Sequence, residues 1–98
     1  MNAYVVADIT VTNPESYAAY RPLAAASVAR HGGKFIARGG EVEPLEGGWV
    51  PKRVVIIEFP SMAAARAWYA SPEYQAALKI RQANSTGRVI LVDGAPPA

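Results

Sequence analysis

Residues 52–59 read KRVVIIEF, and the four consecutive β-branched residues inside this stretch constrain the fold more than any other part of the chain. Side chains alternate between the two faces of a strand. Val54-Val55-Ile56-Ile57 therefore presents apolar surface on both faces and predicts a strand that must be covered twice. Two other stretches share the pattern: residues 4–11 (YVVADITV) set Val5 beside Val6, and residues 88–93 (RVILVD) set Ile90 beside Leu91. A chain of 98 residues hides only about 60–68% of its unfolded surface, so it makes one domain with little left over to cover a second sheet face.

Helix-start chemistry orders the remaining elements. In Thr12-Asn13-Pro14-Glu15, Asn13 is an N-cap residue and Pro14 takes the first helical position. Helix one is expected over Pro14–His31, with Tyr17, Tyr20, Ala24, Val28 and His31 at steps of three and four, and with Gly32-Gly33 as its stop. Pro22 has no N–H for the Ala18 carbonyl, which predicts a kink. Strand two is expected from Lys34 to Ala37, interrupted at Gly39-Gly40 by a bulge or bend before Glu41-Val42-Glu43, with residues 44–51 as a loop. Strand three takes Lys52–Phe59. Ser61 caps a second helix running to about Ala70, and Ser71-Pro72-Glu73 repeats the signal, so that helix is expected in two pieces. Arg88–Asp93 is the last strand, and residues 94–98 (GAPPA) are expected to form a frayed tail.

The order is βαββαβ, a single ferredoxin-like α+β domain with a four-stranded antiparallel sheet and helices on one face. The opposite apolar face needs a cover that the chain cannot supply. A second copy packed sheet to sheet is the economical solution, which predicts a homodimer.

Composition excludes several functions. A net charge of +2 is too weak a footprint for nucleic acid or a membrane surface. No cysteine is present, which removes disulfides, thiolate nucleophiles and cysteine-based zinc sites and suits a reducing compartment. The N-terminus lacks a positive n-region and a cleavage pattern, and no apolar run approaches the roughly 18 residues of a membrane span, so the chain is expected in the cytoplasm. No phosphate loop, dinucleotide fingerprint, nucleophile elbow or HExxH is present. No cofactor and no metal site is expected.

The segments AYVVADITVTNPESYAAY, HGGKFIARGGEVEPLEG, VVIIEFPSMAAARAWYASPEYQAALKIR and RVILVDG together resemble the bacterial domain-of-unknown-function family 1330, a branch of the dimeric α/β-barrel superfamily. The resemblance covers nearly the whole chain. It implies a ferredoxin-like fold dimerising through its sheets, but no particular reaction, because relatives in the superfamily include cofactor-free monooxygenases, haem-degrading enzymes, isomerases and non-catalytic stress proteins.

The residues themselves nominate candidates. His31 is the only histidine; it could act as a general base at a cleft, or simply cap the helix beside Gly32-Gly33. Arg81 lies seven residues after Tyr74 and three after Leu78, on the stripe that should face the sheet. There it could clamp a carboxylate or enolate, or pair with Glu58 or Asp8. His31 and Arg81 are the expected catalytic residues, with Tyr20, Arg38, Trp68 and Tyr74 as ligand-binding residues. Asp8 and Glu58 interrupt apolar strands and are expected to be structural acids paired with Arg38, Arg81 or the partner subunit. Trp49 is expected as a lid over the cleft or as a dimer contact. The favoured function is binding of a small organic acid or an aromatic, quinone-like ligand between helices and sheet by a cofactor-independent enzyme of the monooxygenase or isomerase kind. The alternatives are a non-catalytic dimeric module and a haem-handling protein.

Overall fold

The computed structural model describes residues 1–95. Its elements are β1 (Ala3–Val11), α1 (Pro14–Tyr17), α2 (Tyr20–Arg30), β2 (Lys34–Arg38), β3 (Val54–Phe59), α3 (Met62–Ala70), α4 (Pro72–Asn84) and β4 (Ser85–Asp93). The strands form one antiparallel sheet in the order β2-β3-β1-β4. This is the ferredoxin-like arrangement that βαββαβ predicts, with every helix on one face.

The caps act as the sequence dictates. Asn13 Oδ1 accepts from the Ser16 N–H at 3.2 Å, Ser61 Oγ from Ala64 at 3.0 Å, and Ser71 Oγ from Tyr74 at 3.2 Å. Ser71 also donates its hydroxyl proton to the Trp68 carbonyl at 2.7 Å, so one side chain closes α3 and opens α4. Helix one is bent. Its two segments separate at Ala18 and Ala19, where Pro22 offers no N–H to the Ala18 carbonyl, so the bend lies one turn ahead of the proline that causes it.

Several boundaries differ from the sequence reading; strand three, for one, starts at Val54 rather than Lys52. Strand two does not resume at Glu41–Glu43. Its irregularity also falls earlier than Gly39-Gly40, where the register slips between Phe35 and Ala37 and leaves Ile36 unpaired. Strand four starts at Ser85 rather than Arg88, directly after α4, because Thr86 and Gly87 pair with Thr10 and Ile9 along the full length of β1. Of the expected frayed tail, Gly94 donates its N–H to the Asn2 carbonyl at 2.8 Å; residues 96–98 lie outside the described residues.

The core lies between helices and sheet. Ala3, Val5, Ala7 and Ile9 of β1 are buried on that side, with Ile57 and Phe59 of β3, Ala24 and Val28 of α2, and Trp68, Tyr74 and Leu78 above them. The close approach of α2 to β3 requires Gly33, since a Cβ there would stand 2.6 Å from Phe59 Cε1. The other face carries Tyr4, Val6 and Asp8 of β1, Val54, Ile56 and Glu58 of β3, and Arg88, Ile90 and Val92 of β4, placed together by the register. Ile90 on that face is 59% exposed.

Candidate functional site

A cavity opens between α1, α2 and α4 and the helix side of the sheet. It measures about 50 Å³ within its walls and about 590 Å³ when the space at its open mouth is included. Val5, Ile9, Val55 and Ile57 form its apolar floor, and Phe35 and Trp68 line its sides. Its polar groups are three tyrosines and four arginines: Tyr17, Tyr20, Tyr74, Arg21, Arg38, Arg53 and Arg81. Carboxylates are absent from this lining.

Each side chain is delivered by a definite local feature. On α4 the helical repeat buries Tyr74, Ala77, Leu78 and Arg81 along one stripe, and Arg81 is only 7% exposed. On helix one, Tyr17 ends α1 and Tyr20 begins α2, so the bend sets both rings over the sheet with centroids 5.3 Å apart. The Tyr20 and Tyr74 hydroxyls share a hydrogen bond of 2.9 Å. Arg38 is turned by the register slip: Phe35 pairs with Ile57 and Arg38 with Val55, both on the helix face, although their spacing of three would put them on opposite faces of a regular strand. Its guanidinium lies 4.2 Å from the Phe35 ring centroid, a cation–π contact. Arg53 precedes β3 with the same parity as Val55 and Ile57, and its carbonyl accepts from the Ile9 N–H at 2.9 Å. Its Nε is buried and lacks a hydrogen-bond partner.

Burial controls the phenols. It raises the Tyr17 pKa above 10.0 despite the opposing pull of Arg53, Arg81 and Arg21. Burial also pushes Tyr20 well above the ordinary tyrosine range, helped by the neighbouring Tyr74 hydroxyl. For Arg81, burial opposes the charge, but Tyr74, Tyr20 and Tyr17 outweigh it and the pKa rises, so the guanidinium stays cationic. At neutral pH Tyr17 and Tyr20 can donate protons in hydrogen bonds, but they are not bases.

The structure brings together Tyr20, Arg38, Trp68, Tyr74 and Arg81 of the expected site. It does not bring His31 there. His31 caps α2, its Nδ1 lies 3.0 Å from the Ser27 carbonyl oxygen, and it is not among the cavity's lining residues. The expected convergence of His31 with Arg81 is therefore absent. The acids are also corrected. Glu58 pairs with Lys34 at 3.3 Å and Asp8 with Arg88 at 3.3 Å, not with Arg38 or Arg81, because the strand alternation puts both acids on the opposite sheet face. Trp49 borders a depression on that same face with Val6, Val54 and Ile90, so it is no lid over the cavity. Trp68 donates its indole N–H to Ser27 Oγ at 3.0 Å, a core hydrogen bond that sequence reasoning missed. Arg21 and Arg53 were missed as well. Arg53 was legible, since positions 53, 55, 57 and 59 share one strand face.

Fold and cavity define a ferredoxin-like α+β domain with a cationic cleft between its layers. The family is more specific: the family model DUF1330, a domain of unknown function, matches residues 2–95, and the chain belongs to that family. No curated protein matches the sequence. Among solved structures, RPA0582 from Rhodopseudomonas palustris, a protein of unknown function, is similar with a TM-score of 0.77 and 26% identity, over 98% of this chain and 84% of that one. SnoaB from Streptomyces nogalater, a cofactor-independent oxygenase, gives a TM-score of 0.65 and 19% identity over 98% of this chain and 95% of that one. A dimeric ferredoxin-like protein of unknown function from Jannaschia sp. CCS1 gives 0.70 and 14%, over 96% and 100%. At these identities the last two establish a shared fold. No helix among the described residues is long and apolar enough to cross a membrane.

Proposed function

We propose that two copies of this cytoplasmic chain pack through their open sheet faces, and that each binds a small organic acid or an acidic aromatic, quinone-like molecule in the cavity as a cofactor-independent enzyme. One observation carries the reading: Arg81 is buried against the Tyr20–Tyr74 hydroxyl pair without a carboxylate partner among the described residues. A buried cation normally has a counter-charge, and an anionic ligand would supply it. The exposed apolar patch formed by Val6, Ile56, Ile90 and Val92 supports the dimer, as does the dimeric relative.

The lining contains no carboxylate, histidine or lysine, and Tyr17 and Tyr20 hold their protons. Chemistry that starts from an anion must then use a substrate acidic enough to arrive ionised, or to ionise beside Arg81. The guanidinium and the phenol O–H groups would stabilise the oxyanion of an enolate or phenolate in a site of low dielectric. Such an anion, its proton given up to water at the open mouth, could react with dioxygen as the oxidant, or take a proton back from that water at another carbon. SnoaB is described as a cofactor-independent oxygenase, which supports chemistry of this kind on the same fold.

The test is a thermal-shift and calorimetric screen of small aromatic acids and hydroxyquinones. Binding is expected to fall at least about tenfold in Arg81→Ala, the loss of one charge-assisted contact. A flat screen, or hits indifferent to Arg81, would favour a non-catalytic module instead.

A further inference from the structure

Resting on that reading of the cavity, we infer that its ligand carries two separated anionic groups, one held by Arg81 inside and the other by Arg53 and Arg38 at the mouth. A single carboxylate would answer Arg81 alone. Half-buried Arg53 is also without an acidic partner, and exposed Arg38 stands beside it at the mouth: the ion pairs among the described residues are Arg30–Glu73, Lys34–Glu58 and Arg88–Asp8, none of which involves a cavity arginine. The whole chain has a net charge of only +2, so four guanidinium groups around one cleft are a local concentration, not a reflection of composition.

The local backbone is shaped to hold the outer pair. The register slip in β2 brings Arg38 onto the helix face opposite Val55, and Arg53 stands two residues before Val55 on the same face of β3. Gly39, at φ +72°, donates its N–H to the Val54 carbonyl, and a Cβ there would stand 2.6 Å from Arg53 Cζ. The glycine thus leaves the space in which the Arg53 guanidinium lies. The buried, unpartnered Nε of Arg53 is a donor that the protein leaves unused. Tyr17 lines the same cavity as Arg53 and Arg81. An apolar body against Val55, Ile9 and Phe35, with an acid at each end, matches this arrangement.

The probes are benzoate, isophthalate and terephthalate, one monoanion and two rigid dianions whose carboxylates differ in separation. With the full-length protein in low salt, calorimetry is expected to show one of the dianions binding at least about tenfold tighter than benzoate, as for an added charge-assisted pair. Arg53→Gln should cut that ratio to about threefold or less, and added salt should narrow it in the wild type. In the ligand-free protein, Arg53→Met should leave the melting temperature unchanged or raise it, because it removes a donor without a partner. Benzoate binding that depends on Arg81 without a dianion preference, or a preference that Arg53→Gln leaves intact, would overturn the two-anion assignment alone. A large drop in melting temperature in Arg53→Met would overturn it too, by making Arg53 structural. Failure of all three probes to bind, with no effect of Arg81→Ala on any aromatic acid, would remove the underlying cavity reading as well.

Discussion

The two faces of the sheet treat charge in opposite ways. On the open face, Asp8 and Glu58 each have a basic partner, the partners are largely solvated, and apolar residues between them lie exposed. On the helix face the cations are arginines, one of them almost wholly buried, and no acid among the described residues answers them. Exposed apolar surface with satisfied charges fits a face that meets protein. A buried cation among phenols and aliphatic side chains, with half-buried and exposed arginines at the mouth, fits a face that meets a small anion.

The hardest test of this division is Ile90→Asp. In an isolated chain a 59%-exposed residue tolerates such a change within about 0.5 kcal/mol. If the face is covered by a second copy, an uncompensated carboxylate in the interface costs about 3–5 kcal/mol. The expected outcome is a halved mass by light scattering and a lowered, concentration-dependent melting temperature. An unchanged mass and melting temperature would leave the open face without its partner.

On the helix face binding and stability should separate. Arg81→Met keeps most of the length of the side chain and removes a cation that the Tyr74 hydroxyl stabilises, so the ligand-free protein should lose only about 1 kcal/mol while binding of aromatic acids is lost. A loss of this size lowers the melting temperature of a domain this small by about 4–8 °C. A loss of roughly 3 kcal/mol or more would make Arg81 a structural residue and erase the contrast between the faces.

Much of this contrast was legible in the sequence. The caps at Asn13, Ser61 and Ser71 set the helices, and the two-sided apolar pattern of VVII predicted a second cover. Strand parity also puts Asp8 and Glu58 on one face, yet their expected pairing with Arg38 or Arg81 was wrong, because that face is the open one. What could not be read was whatever depends on a break in periodicity. The slip after Phe35 moves Arg38 across the sheet, and simple counting from Lys34 gives the wrong face for it. His31 shows the limit of chemical reasoning without geometry: a lone histidine invites a catalytic role, but its place at the end of α2 commits Nδ1 to the Ser27 carbonyl. Arg53 lay in plain view by parity with Val55 and Ile57, within the stretch read as strand three, and it was passed over because no acid or aromatic marked it as part of a site.

The mildest effect concerns the phenols, and it appears only in alkali. Unfolded tyrosines lose their protons around 10.0, whereas Tyr17 and Tyr20 in the folded protein hold theirs to higher pH. Above that value the unfolded chain therefore binds fewer protons than the folded one, and stability falls as pH rises. Below it the contribution is fully present, so no effect is expected between pH 6 and about 9. Each retained phenol proton steepens the loss by up to about 1.4 kcal/mol per pH unit. Tyr20→Phe lowers stability at neutral pH through the lost hydrogen bond to Tyr74, so the diagnostic quantity is the slope. Urea unfolding between pH 9 and 11.5 should show a shallower decline in the variant than in the wild type. Equal slopes in the two proteins would mean that the cavity admits water freely to its hydroxyls. The low-dielectric setting assigned to Arg81 would then be lost as well.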